Sequence, residues 1–183
     1  MAKINVNKTE AARRQIDTAI RLLFSGEDPV AIHTLAGAAF RILRDLAGKK
    51  TDSYMKKITQ AMIKPGMESK FWRQWNTSIN FLKHADKDPN SMLENVDEEV
   101  NEGILFIASL YYQDLGHRLT PEMITLVGWY TAMHPEFLRE DASATFTQAA
   151  LQSGTCLIDK SRAEQLAIGS QLLQLARSLS QQF

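Results

Sequence analysis

Cysteine is almost missing from this chain: Cys156 stands alone among 183 residues. That excludes an internal disulfide framework and fits a reducing compartment. Proline is nearly as scarce, at five residues, and no Pro/Gly/Ser-rich tract marks a linker or a disordered arm. Neither sign of charge prevails, with 21 basic against 21 acidic residues. No global field therefore draws the chain to nucleic acid or to an anionic membrane. The longest apolar run, Ile104 to Tyr112, is broken by Ser109 and falls far short of a membrane span. Met1-Ala2-Lys3-Ile4-Asn5 carries no apolar stretch of the kind a secretory signal needs. Together these absences predict a cytoplasmic protein without membrane contact. Gly-x-Ser-x-Gly, Gly-x-Gly-x-x-Gly and Walker-type loops are also lacking, so hydrolase-elbow, dinucleotide and P-loop chemistries are excluded.

What remains reads as helix. Apolar residues make up 44% of the chain, enough to bury a core within one domain of this length. Ala12, Ile16, Ala19, Ile20 and Leu23 form a helical stripe between Lys8 and Phe24. Asp28-Pro29 opens a second helix that should run to Ala47 and close on Gly48. A third is expected over 52–63, a fourth from Met67 to Ala85, and a fifth from an Asp97 cap to Gly116. Thr120-Pro121 starts a sixth, 143–152 a seventh, and the capping box Ser161-x-x-Glu164 the last. The spacing predicts an all-α fold: a single domain over 1–183, built as an antiparallel bundle of about seven to nine helices. A subdomain break is possible at 86–95, where the charge changes sign. Residues 41–87 hold eleven Lys/Arg against four acids, whereas 88–141 hold eleven acids against Arg118 and Arg139. Such a split suits neighbouring helices of opposite charge, a homodimer, or a basic face for phosphate or RNA.

The fourth helix gathers the most chemistry. At about 100° per residue, Ser69, Arg73, Asn76, Asn80, His84 and Lys87 lie within roughly 40° of one direction. Phe71, Trp75 and Leu82 oppose them, with Trp72, Ile79 and Phe81 on the flanks. The stripe offers a guanidinium, amides, an imidazole and an ammonium, while Asp86 and Asp88 would favour a charged His84 near the helix end. His84 and Asn80 are the candidate catalytic pair. Arg73, Asn76, Lys83, Lys87, Asp86, Asp88 and His33 are the candidate ligand-binding residues. In the second helix, Gly37 shares the His33 direction and should let another helix approach closely. His33 is read as a histidine bonded to a neighbouring helix, or else as a partner of His84 in one pocket. A metal at His84-x-Asp86-x-Asp88 lacks the Glu-x-x-His or His-Glu-x-x-His spacing, so neither metal nor cofactor is expected. Cys156 reads as a small buried hydrophobe.

Asn80-Phe81-Leu82-Lys83-His84 resembles the second half of the Arg-Asn-x-x-x-His helix of HEPN proteins, a helical superfamily that includes RNA-cleaving toxins and antiphage effectors. The resemblance implies an all-helical dimer in which the motif's Arg and His contact a scissile phosphate. Here Ile79 stands in the Arg position. Arg73 lies about 16 Å up the axis from His84, at roughly 1.5 Å per residue, too far to share one phosphate oxygen with it. The motif then implies a degenerate member, or an Arg supplied by another helix. A broader resemblance is to bacterial all-helical proteins with segments like Asp28-Pro29-Val30-Ala31-Ile32-His33-Thr34-Leu35-Ala36 and Phe81 to Pro89, which brings no activity with it. The leading expectation is a homodimeric binding or regulatory module for a phosphate-bearing ligand (RNA or a nucleotide) or for a partner protein. A metal-independent ribonuclease using His84, with Arg73 or Arg44 as phosphate clamp, is one alternative. A purely structural interaction module is the other. Leu172 to Leu179 supply a possible dimer seam.

Overall fold

The structure is a computed structural model that describes residues 3–55, 57, 66, 68–83, 89–93, 98–135 and 157–181. Among these residues there are six α-helices and no strand: α1 (Lys8–Phe24), α2 (Pro29–Gly48), α3 (Glu68–Phe81), α4 (Glu99–Asp114), α5 (Pro121–Met133) and α6 (Arg162–Ser180). The fold is all-α, as the spacing predicted. Tyr54, Met55 and Lys57 are helical within the expected third segment. Residues 56 and 58–63 of that segment, the helix expected over 143–152 and Cys156 lie outside the described residues. No described helix is long and apolar enough to cross a membrane.

Helix starts follow the capping residues. Asn7 Oδ1 accepts the Glu10 N–H at 2.8 Å, and Asp28 Oδ1 accepts the Val30 N–H at 2.9 Å just ahead of Pro29. Thr120 Oγ1 accepts the Met123 N–H at 3.2 Å, while Ser161 and Glu164 bond reciprocally. Each bond satisfies an amide that the helix itself leaves unpaired. Two ends differ from expectation. Gly48 is the last residue of α2 rather than the one after it. The described part of the fourth helix closes at Phe81 rather than Ala85, because the Lys83 N–H turns back to the Asn80 carbonyl at 3.1 Å in a tighter turn.

The α1 stripe is fully inside: Ala12, Ile16, Ala19, Ile20 and Leu23 join Ile32, Phe40 and Leu43 of α2, Leu105 and Tyr111 of α4, and Trp129 of α5 in one core. Helix directions follow from paired contacts. The first turns of α2 and α4 meet where His33 bonds Asn101, and farther along both helices Phe40 meets Tyr111 edge-on. Past the end of α2, Ser53 Oγ donates at 2.7 Å to Asp114, the last residue of α4. So α2 and α4 run parallel, which corrects the uniformly antiparallel bundle expected from short connections. The chain between them, 49–98, is long enough to bring α4 back to the same end. In contrast, α5 and α6 are antiparallel, since Glu122 pairs with Arg177 and Trp129 Nε1–H donates to the Gln165 carbonyl.

Buried charges lock the ends of these helices. Glu122 accepts from Arg21 at 2.9 Å and from Arg177 at 2.5 Å, joining α1, α5 and α6. Burial alone would raise its pKa, but the two guanidiniums hold it below the usual carboxylate range. Asp17 bonds Arg13 and Thr120, each at 2.7 Å; burial prevails there and its pKa is raised. α6 lies so close to α1 that a Cβ at Gly169 would sit 2.2 Å from Phe24 Cε1.

Candidate functional site

Helix α3 reaches the core through its last turn and lands on one ridge of α2. His33, Gly37 and Arg41 are spaced i, i+4, i+8, so they lie on one side of α2 in three successive turns. They meet Ser78, Ile79 and Asn80 in that order. His33 Nε2 is 2.8 Å from Ser78 Oγ. A Cβ on Gly37 would lie 2.7 Å from Ile79 Cγ1, so the space a side chain would occupy is filled by Ile79. The Arg41 guanidinium donates to Asn80 Oδ1 at 3.0 Å. Over eight residues of α2, about 12 Å of axis, these three side chains meet three consecutive residues of α3. Ile79 is 2% exposed, and its burial stabilises the junction by about 2 kcal/mol. The sequence expectation that Gly37 admits a neighbouring helix is met by this contact.

His33 sits at the inner end of the junction, 4% exposed. Its Nδ1 is 2.7 Å from Asn101 Oδ1, and Asn101 Nδ2 donates to the Pro29 carbonyl at 3.1 Å. The second bond orients the Asn101 amide with its oxygen toward the ring. His33 therefore carries its proton on Nδ1, and Nε2 accepts the Ser78 hydroxyl proton. Burial, partly offset by the Asn101 bond, lowers the His33 pKa below the ordinary histidine value. Both ring nitrogens are committed, so this side chain ties α2, α3 and α4 together and has no free edge for a ligand.

The outer end of the junction is cationic. Lys83, in the turn after α3, is exposed overall. Its pKa is nonetheless lowered, first by loss of water around the ammonium and then by the Arg41 guanidinium. Asn80 Oδ1 faces Arg41, and Asn80 is otherwise exposed. Arg41 is bonded to Asn80, and no carboxylate among the described residues pairs with either cation.

The remaining sequence-predicted residues divide clearly. Arg73 is exposed, one face of α3 away from the core. Asn76 is half-buried, and its Oδ1 is enclosed without a hydrogen-bond partner among the described residues; the amide oxygen thus points inward. His84, Asp86, Lys87 and Asp88 lie outside the described residues, as does any meeting of His84 with His33. Arg44 stacks over Phe40 at 5.6 Å and pairs with Asp45 at 3.3 Å, so it does not face Asn80 the way Arg41 does. Ile79, in the position where the HEPN motif places Arg, is a core residue. Arg41 was absent from the sequence-predicted set. Its signal was the i+8 position on the His33–Gly37 ridge, which becomes visible only when two helices are considered together. Among the described residues no group of three or more His, Cys, Asp or Glu is placed to hold a metal. Compared with known proteins, the chain matches no family model, no curated protein and no solved structure.

Proposed function

We propose that the chain is a cytoplasmic, non-enzymatic binding module whose α2–α3 face takes a phosphate-bearing ligand, RNA or a nucleotide. The observation that carries this reading is the bond of the Arg41 guanidinium to Asn80 at the end of α3, with the Arg41 charge felt by Lys83 in the turn beyond. Like charges held together cost free energy, and an anion between them converts that repulsion into two charge-assisted contacts. Asn80 adds an amide that can donate to a phosphate oxygen. With the HEPN arginine position filled by buried Ile79 and both nitrogens of His33 engaged, the described residues favour recognition over cleavage. The HEPN-like reading is proposed on the short Asn80-Phe81-Leu82-Lys83-His84 resemblance alone, with Arg41 as an arginine supplied from a second helix.

Fluorescence anisotropy with short 5′-phosphorylated single-stranded RNA tests the reading, with inorganic phosphate and a free nucleotide as competitors. Arg41→Ala and Lys83→Ala should each weaken binding by about tenfold, or about 1.4 kcal/mol. Each should also reduce the slope of log affinity against log salt by about 0.7. Unchanged affinity and salt slope in both variants would contradict the proposal. Competition by phosphate alone would place recognition in the phosphate group rather than in the base or ribose.

The same reading carries a homodimer. Leu172, Leu175 and Leu179 are exposed on α6, and no charged residue lies between Glu164 and Arg177. That uncharged stripe at helical spacing suits an identical stripe on a second copy. Leu175→Glu should shift sedimentation from dimer to monomer; a monomeric parent protein would end this part of the account.

A further inference from the structure

The three contacts of α3 on α2 differ in kind: the Ile79–Gly37 contact is apolar, Arg41 presents a guanidinium to Asn80, and His33 presents an imidazole, the side chain whose ordinary pKa lies nearest neutrality. We propose that His33 is a positioning residue for the Arg41–Asn80–Lys83 site, a neutral, Nδ1-protonated strut whose protonation loosens the last turn of α3 and lowers anion affinity. This rests on the proposed binding role of that site. The strut works because its two bonds are directional and opposite. Nδ1–H donates to Asn101, whose amide is fixed in turn by the Pro29 carbonyl, and Nε2 accepts from Ser78. A proton on Nε2 ends the second bond as it stands, since Ser78 then faces a donor and its hydroxyl must turn away to accept.

Among the described residues a charged ring also has no carboxylate paired with it. From α4 the charged groups nearest in sequence to Asn101 are Glu98, Glu99 and Glu102. Glu98 and Glu99 are exposed, and Glu102 is committed to Arg162. From α3 the charged residues are Glu68, Lys70 and Arg73, with Lys83 in the turn beyond; the two nearest Ser78, Arg73 and Lys83, are cations. From α1 the last-turn Arg21 is engaged by Glu122. Among the described residues, burial followed by the Asn101 bond accounts for the state of the ring. The sign is therefore fixed. The folded junction prefers neutral His33, so docking is complete above the ordinary histidine pKa and weakens as pH falls through it, until the ring is charged in the folded state as well.

The test is amide hydrogen exchange of 68–81 between about pH 7.5 and about pH 5, corrected for intrinsic rates, beside RNA affinity over the same range. Protection of α3 relative to α1 should fall by up to tenfold per pH unit below the ordinary histidine value. His33→Gln, whose amide oxygen can still accept from Ser78, should keep protection at the upper pH and lose the pH dependence. Ring nitrogen shifts of His33 in the unmodified protein give a check that needs no variant: protonated Nδ1 and bare Nε2 are expected at neutral pH. The opposite tautomer, or α3 protection that does not change with pH while His33 titrates, would overturn the strut. Exchange needs no ligand, so the two proposals separate. If α3 loosens with acid and RNA never binds, the binding reading fails and the strut stands. If RNA binds equally across the range with α3 protection constant, the strut fails and the binding reading stands.

Discussion

Trp129→Ala should cost about 3–5 kcal/mol. Trp129 is 1% exposed and touches two helices beyond its own. Phe24 of α1 meets its ring edge-on at 5.4 Å, Arg162 of α6 lies 5.8 Å over it, and Phe40, Leu105 and Leu126 belong to the same core. Its Nε1–H donates to the Gln165 carbonyl at 2.9 Å, while Gln165 Nε2 donates to the carbonyls of Leu157 and Lys160, both at 3.1 Å. Truncation opens a cavity that the helices cannot close, because Gly169 already sits against Phe24. It also removes the indole bond to the Gln165 carbonyl, which keeps the bond of its own helix, for about 1 kcal/mol more. Against a total stability of about 5–15 kcal/mol, thermal unfolding followed by circular dichroism should move down by about 10 °C or more. Trp129→Phe keeps part of the volume and should lose less than half as much. A drop of only a degree or two in Trp129→Ala would mean that α5 and α6 are not joined as described.

The second large effect is electrostatic and depends on pH. Glu102 is 2% exposed and forms an ion pair with Arg162. Burial raises its pKa, and Arg162, by charge and by hydrogen bond, opposes the rise. Arg162→Met keeps most of the stem that covers Trp129 but leaves the carboxylate alone in the core. Removing one partner of a buried pair costs about 3–5 kcal/mol; with Arg162 35% exposed and partly screened, about 2–3 kcal/mol is the expected loss at neutral pH. The loss should shrink on acidification. A carboxyl whose folded pKa lies above its unfolded value favours folding in its protonated form. Its penalty is therefore absent below the ordinary carboxylate pKa and grows as pH rises above it. Without Arg162 the folded pKa climbs further, so the difference between parent and variant should be near zero at about pH 4 and full by about pH 7. Urea denaturation at several pH values measures this directly. A loss that does not vary with pH would place the effect in packing against Trp129 rather than in the stranded carboxylate.

Local chemistry was readable in the sequence wherever the deciding partner lay within one turn. The α1 stripe, the Asp28-Pro29 and Thr120-Pro121 starts, and the Ser161–Glu164 box needed only helical periodicity and capping. His33 and Gly37 were readable one step further, because a histidine and a missing Cβ on the same face already imply a close neighbour. The identity of that neighbour, the Ser78–Ile79 edge of α3, was not available. Periodicity places α3 side chains around their own axis, yet at the helix end three consecutive residues, Ser78, Ile79 and Asn80, all touch α2. For that reason the polar stripe of α3 divides: Asn80 stays at the surface beside Arg41, while the Asn76 amide oxygen is enclosed. The parallel run of α2 and α4 was equally hidden, since it depends on pairings 68 residues apart such as His33 with Asn101. Buried acids were the other gap. Nothing in the pattern around Glu102 or Glu122 separates them from surface carboxylates until the arginines of α1 and α6 arrive.

The central claim is that docking of α3 on α2 assembles an anion site from Arg41, Asn80 and Lys83. A two-dimensional NMR titration of the 15N-labelled protein with short 5′-phosphorylated RNA addresses it most directly. Saturable shifts centred on the Asn80 side-chain amide, the Arg41 guanidinium and the Lys83 amide are the predicted result, with α5 and α6 unmoved. Shifts confined to other helices, or none at all, would contradict it.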